Sequence, residues 1–322
     1  MKNKPTDTPY CNVDKNLIKN ARPKLNQENL KHLYDWITER YKIHLKKDIL
    51  KKEKPWTSDK ILQKYRFCNV RREHDKETKW LIKNLCQGNL TYKNKILNIT
   101  LFRLINKSKT IEIFGPIDFS NPDLENIKQK IKTFENQNPS YIYFSNAFFT
   151  SGPKTAANKL FPEEPNMVIK IIKLAQSYNQ QNIVREITKS NNPKQVFEIL
   201  KSFNGLGDFL AYQIFVDFTY IPEFPFSENE FVIAGPGCKN GLNLIFEDLG
   251  GLGYEEALFW LRDNQNEIFS QFNYNPKELF SDLPEEDRHL NIMSLENCMC
   301  EISKYLRALS GSGRPRIRYN GK

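Results

Sequence analysis

The sequence predicts a mainly α-helical protein organised as two helical lobes with a cleft between them. Three observations predict it. Apolar residues recur every three to four positions through most of the chain, Ser, Asp, Asn or Pro stand where such stretches open, and Gly or Gly-Pro interrupts them. With 322 residues the chain can bury a large core, as one domain or two lobes. The expected organisation is a mobile segment over 1–28, lobes over about 29–160 and 161–309, and a basic tail over 310–322.

In order along the chain, "NQENLKHLYDWITERYKIHLKKDIL" carries Leu30, Leu33, Trp36 and Ile37 at helical spacing. "SDKILQKYRFCNVRREHDKETKWLIKNLC" opens on Ser58 or Asp59 as an N-cap and holds one or two helices. "ILNITLFRLINKSKTIEIFG" continues the pattern until Gly115-Pro116. "SNPDLENIKQKIKTFENQ" pairs a capping signal with Leu124, Ile127, Ile131 and Phe134. The aromatic "SYIYFSNAFFTSGP" reads as a strand or a buried helix that Gly152-Pro153 ends. "NMVIKIIKLAQSYNQQNIVREITKS" and "NPKQVFEILKSF" are helical, the second with Pro in its first turn. No solenoid period or heptad array is present.

The net charge of +10 and a pI near 9.1 point to an acidic partner, nucleic acid first. A chain rich in Lys and Asn for other reasons would give the same balance. No run of about 18 apolar residues is present, so no membrane partner is expected. The N-terminus lacks the apolar core of a signal peptide. Six cysteines in a chain this long do not make a disulfide framework. A reducing compartment follows: cytoplasmic in a bacterial or phage-infected cell, nuclear in a eukaryote. The "CMC" at 298–300 lacks a partner ligand pair and reads as buried thiol. His44, His74 and His289 are scattered, so no metal ligands are expected, and no cofactor.

"FNGLGDFLAYQIFVDFTY" places Asn204-Gly205-Leu206-Gly207 between two helical stretches. A turn this short needs positive φ or close backbone packing, which glycine tolerates. The second helix then starts with free amide N–H groups beside a residue without a side chain, a geometry that accepts a phosphate oxygen. Leu206 would anchor the turn in the core. This is the helix-hairpin-helix pattern, which holds DNA by its backbone without reading sequence. An ordinary glycine-capped turn between helices is the alternative, and Asp208 puts a carboxylate close to where a phosphate would lie.

About twenty residues beyond Gly207 stand Glu228 and Glu230, ending an aromatic, Pro-containing loop. This arrangement resembles the helix-hairpin-helix DNA glycosylases, whose catalytic aspartate lies at a similar distance. There a fixed carboxylate stabilises the positive charge that builds on the sugar of an extruded nucleotide and can orient water. "AGPGCKNGL" reads as a loop that could wrap a base or phosphate, with Lys239 adding charge. A solvated loop is the alternative for each acid.

Several segments together are similar to one family, the α-glutamyl/putrescinyl thymine pyrophosphorylases, also described as the 5-hydroxymethyluridine DNA kinase helical domain. They are "FCNVRREHDKETKWL", "FRLINKSKTIEIF", "FNGLGDFLAYQIFVDFTY", "ENEFVIAGPGCKNGLN" and "ENCMCEISKYLR", in order from about residue 60 to 308. The resemblance implies action on modified pyrimidines in DNA, by hypermodification in some members and base excision in others. Its N-V-x-R-x-x-D pattern falls on Asn69, Arg72 and Asp75, which three-residue spacing would set on one helical face lining a pocket. Arg103, with Asn106 one turn later, matches a further arginine. A buried Arg–Asp pair holding two helices together accounts for such residues equally well. The family's acid before "FVxxGPG" falls on Glu230, with Glu228 in reserve, and Asp217 matches an acid on the second hairpin helix.

Glycosylases that also nick the strand carry lysine two residues after the second hairpin glycine. Phe209 stands there, so a glycosylase here would activate water alone. No four-cysteine iron–sulfur loop and no G-x-x-x-x-G-K-[ST] occurs, so the chain is not itself a kinase. Tyr141, Tyr143, Phe144, Phe148 and Phe149 read as core or as a stacking wall for a flipped base. Tyr143 and Asn146 are the polar-tipped candidates for a base pocket. Three activities are expected in this order: a monofunctional glycosylase excising a modified pyrimidine from double-stranded DNA, as in defence against phages; a transferase displacing pyrophosphate from an activated 5-hydroxymethyl group, which needs a separate DNA-base kinase; and a non-catalytic DNA-binding module.

Overall fold

Asn26 opens the first long helix, Gln27–His44, its side chain accepting from the Asn29 amide. Leu30, Leu33, Trp36 and Ile37 are all buried on that helix, as their spacing predicts. The computed structural model describes residues 13–145, 151–315 and 317–319. Among them helix dominates, and the strands are two short antiparallel pieces, Lys24–Leu25 and Phe246–Asp248. No helix among the described residues is long and apolar enough to cross a membrane. The chain folds as two units, residues 1–75 with 228–322, and residues 76–227. The lobe boundary expected near residue 160 lies within the second of these.

In the first unit, Pro236–Ile245, Tyr254–Ser270 and Ile292–Leu309 pack with Gln27–His44. The "AGPGCKNGL" segment corrects its expected reading as a loop. Pro236 starts a helix, and Gly237 and Gly241, four apart on one face, let it press against Ile292–Leu309. A Cβ on Gly241 would lie 2.0 Å from the Met299 carbonyl oxygen, so glycine here is a packing requirement. Stretches expected to be mobile are also tied down. Asp14 caps the short helix Lys15–Asn20, which buries Ile18 against Tyr254–Ser270. At the tail, Tyr319 donates to Lys64 O and Arg66 to Ile317 O, so this basic segment pairs with the backbone of 64–66.

The second unit is built round Tyr92–Ile105, whose residues from Asn94 to Ile105 are all buried. A helix buried on every side belongs in a core, and Met167–Gln180 and Asp208–Phe218 pack on it. The expected single stretch to Gly115 is two helices, because Asn106 turns left-handed (φ 52°) before Ser108–Phe114. Asp123 caps Leu124–Gln137 as expected. Gly152-Pro153 does not end an element; it lies in the first turn of Ser151–Leu160, where proline's missing N–H costs nothing.

Candidate functional site

In the second unit a turn carrying Gly205-Leu206-Gly207 joins Pro193–Lys201 to Asp208–Phe218. Gly205 adopts φ 87°, and a Cβ there would sit 2.9 Å from Pro153 Cα, so conformation and space both demand glycine. Leu206 is buried, and Tyr178 donates its hydroxyl to the Asn204 carbonyl, which fixes the turn from beneath. Gly207 differs: its φ is −83° and a Cβ would meet nothing within 4 Å. It is the N-cap of an eleven-residue helix and supplies no side chain to cap it. The first amides of that helix therefore face an open approach flanked by exposed Asp208 and Phe209. Lys201 pairs with Asp208 at 2.8 Å, drawing the carboxylate toward a cation at the end of the preceding helix.

The other expected pocket residues of this unit are placed as follows. Arg103 forks onto Asp217, donating from Nη2 to Oδ1 at 2.8 Å and from Nε to Oδ2, and its Nη1 donates to Asn106 Oδ1 at 2.7 Å. Arg103 and Asp217 are 2% and 0% exposed, so this cluster joins Tyr92–Ile105 to Asp208–Phe218 inside the unit. Tyr143 is held by its backbone, whose carbonyl accepts from Thr110 Oγ1 at 2.6 Å, and its ring meets Tyr141 edge-on. Burial raises its phenol pKa. Lys154 Nζ stands 4.1 Å over the Phe144 ring. Asn146, Phe148 and Phe149 lie outside the described residues.

The first unit gathers buried polar groups around the N-terminal half of Ile292–Leu309. Asn69, Arg72 and Asp75 do not share a helical face; the chain is extended before a single turn of 3-10 helix, Arg72–His74. They converge even so. Asp75 Oδ1 accepts from the Asn69 amide at 3.1 Å and from Asn69 Nδ2 at 2.9 Å, closing the hook, while Asn297 Nδ2 donates to the Asn69 carbonyl at 2.8 Å. Asn69 Oδ1 stays buried without a hydrogen-bond partner among the described residues. Burial pushes the Asp75 carboxyl up, against the Asn69 bonds and the nearby Arg40 and Arg72.

Glu228 accepts from Asn291 Nδ2, and Asn291 is the N-cap of Ile292–Leu309. Asn229 Oδ1 accepts from the Ile292 amide at 3.0 Å, so the loop carrying Glu228 is seated on that helix start, where the dipole favours a carboxylate. Glu230 is half-buried beside fully buried Phe231. Lys239 is exposed in the first turn of Pro236–Ile245, its ammonium 5.4 Å from the Tyr254 ring. Arg71 donates to the carbonyls of Asp287 and His289 at 2.9 and 2.8 Å and lies in the field of Glu228.

Against this geometry, comparison with known proteins gives one decisive match. Residues 27–314 match the family model described as 5-hmdU DNA kinase, helical domain. The chain belongs to this family. It is also 26% identical over 317 residues to a protein named 5-hmdU DNA kinase from Bacillus phage SP10, a match covering 93% of this chain and 48% of the relative. The chain thus spans about half the length of that curated relative. No solved structure matches it. The expected glycosylase-like architecture therefore rests on the hairpin motif alone.

One further residue of this family member escaped the sequence reading. Glu296, on Ile292–Leu309, is 7% exposed and held by the Gly235 amide and by Cys300 Sγ at 3.5 Å. Burial raises its pKa to about 7, with Arg72 opposing. "ENCMCE" contains the signal, since the Glu296–Cys300 spacing puts both on one helical face, but the two cysteines drew the attention. Burial pushes both thiols well up, so neither is a reactive thiolate at neutral pH.

Proposed function

We propose that this chain is the DNA-handling part of a base-hypermodification system, engaging a 5-hydroxymethyl-type pyrimidine for chemistry at its 5-substituent. The observation that carries this reading is the family match over residues 27–314, whose members are described by their action on 5-hmdU. The relative's name, 5-hmdU DNA kinase, points the same way. The sequence contains no phosphate loop of the G-x-x-x-x-G-K-[ST] type, so phosphorylation of the hydroxymethyl group falls to a separate kinase unit. The open amides behind Gly207 suit a backbone phosphate of the DNA. Asn69, with a buried acceptor oxygen to satisfy, suits a pyrimidine N–H or hydroxyl donor.

In the transferase form of this function, the bond from the 5-methylene carbon to the pyrophosphate oxygen breaks and pyrophosphate leaves with the electron pair. An amine then forms the new C–N bond and gives up a proton. A carboxylate with a pKa of about 7 accepts that proton efficiently at neutral pH, which suits Glu296; Glu228 is the alternative acceptor.

Excision of the base is a second reading, favoured by the Gly205–Leu206–Gly207 turn and the acids Glu228 and Glu230 that follow it in the sequence. One experiment separates the two. Duplexes carrying thymine, 5-hmdU or pyrophosphorylated 5-hmdU are incubated with the chain and an amine, then analysed for bound fraction, released pyrophosphate, nucleoside mass and alkali-labile breaks. Intact strands, a tenfold or greater preference for the modified duplex and a heavier nucleoside support hypermodification. Abasic breaks that vanish in Glu228→Gln or Glu230→Gln would establish excision instead, and equal retention of all duplexes would remove base recognition from the chain.

A further inference from the structure

His44 and His74 are thirty residues apart in sequence and stack in the first unit, with ring centroids 4.0 Å apart and planes 16° from parallel. Asp282 joins them from a third segment, its Oδ2 lying 3.8 Å from His44 Nε2. One donor atom from each of the three falls within 4.8 Å of the others. His44 Nε2 and His74 Nδ1 are both buried.

The surroundings are those that orient a metal site. Asp48 Oδ2 lies 3.0 Å from His44 Nδ1, the kind of carboxylate contact that orients a ligating imidazole, while His44 Nε2 faces Asp282. Tyr41 donates its hydroxyl to Asp282 Oδ1 at 2.7 Å, which directs the remaining oxygen of that carboxylate. Two imidazoles and one carboxylate form a recurrent donor set for such an ion.

We propose that His44, His74 and Asp282 form a site for one divalent transition cation of the zinc type, with water completing its coordination. Two ligands about 2.1 Å from one tetrahedral ion stand about 3.4 Å apart, so loading draws the three donors together by roughly an ångström and turns the rings out of their stack. Imidazole with carboxylate selects a borderline first-row ion over magnesium, which prefers oxygen donors and retains its waters. The ion would pin the end of Gln27–His44, the Arg72–His74 turn and the loop at 282 to one another. Because Asp75 follows His74 directly, the pin also sets the hook in which Asp75 holds Asn69.

The test uses the full chain, stripped with chelator, titrated with Co2+ and Zn2+ and melted with and without metal. One equivalent of Co2+ should give a visible ligand-field band that Zn2+ abolishes, and Zn2+ but not Mg2+ should raise Tm. His74→Gln and Asp282→Asn should each weaken Co2+ at least tenfold while melting near the wild type without metal, and Asp48→Asn should weaken it about 10–100-fold. Absence of the band at saturating Co2+, or a band unchanged in both ligand variants, overturns the site. Since the readouts are absorption and melting, this outcome is independent of whether the chain modifies or excises a base.

Discussion

Arg103 and Asp217 meet as a two-pronged ion pair inside the second unit, the guanidinium 2% and the carboxylate 0% exposed. Asn106, left-handed at the end of the arginine's own helix, takes up a third guanidinium nitrogen. A charge buried so deeply is tolerable only while its partner is present. Asp217→Asn or Arg103→Met should therefore cost about 3–5 kcal/mol of stability, because each leaves the other group buried with its bonds broken. The double variant Arg103→Met/Asp217→Leu should recover a large part of that loss. Urea denaturation of the three variants checks this; a double variant as unstable as the sum of the singles would contradict it.

The two hairpin glycines should behave oppositely. Gly205→Ala forces a side chain into a left-handed residue and against Pro153, and should destabilise by about 1–3 kcal/mol. Gly207→Val enters open space at an ordinary φ and should leave Tm nearly unchanged, yet it should weaken DNA retention by shielding the first amides of Asp208–Phe218. Thermal melts beside filter binding separate the two effects.

Glu296 should impose a pH dependence on stability. Its folded pKa of about 7 lies above the ordinary 4.5, so between those values the folded state binds more protons than the unfolded state. Stability from this group is thus fully present below about pH 4.5 and lost as pH rises through 7, on the order of 3 kcal/mol in all. Glu296→Gln should be more stable than the wild type above pH 7 and indistinguishable from it near pH 4. Denaturant titrations at the two pH values decide it.

Asp75 closes its hook with two bonds from one asparagine. Asp75→Ala should cost about 1–3 kcal/mol by leaving the Asn69 donors unmet, and should also lower any preference for modified over unmodified duplex. A stability loss with the duplex preference intact would assign the hook to folding alone.

Helices such as Gln27–His44, with its apolar stripe, and Leu124–Gln137, with its cap and stripe, were legible in the sequence because both are local signals. The hairpin was legible for the same reason: Gly205 has to be glycine for its own backbone. Three-residue spacing at Asn69, Arg72 and Asp75 pointed to a helix, but a side chain reaching back across a hook produces the same intervals. Gly237 and Gly241 looked like loop residues because their reason is Cys300 and the Met299 backbone, some sixty residues away. Glu296 and the His44–His74 pair were invisible as site residues for a related cause. Their significance comes from what the fold packs against them.

The first unit is written in two instalments, with the whole of residues 76–227 between them. Gln27–His44 leaves the ribosome long before its packing partner Ile292–Leu309 exists. At about 5–20 residues per second, the intervening stretch alone takes on the order of ten to thirty seconds to synthesise. Through that interval Leu30, Leu33 and Trp36 lack the cover of Ile292–Leu309, whereas every part of the later-starting unit is already in hand. Nascent chains should thus acquire protease resistance in their middle before their beginning.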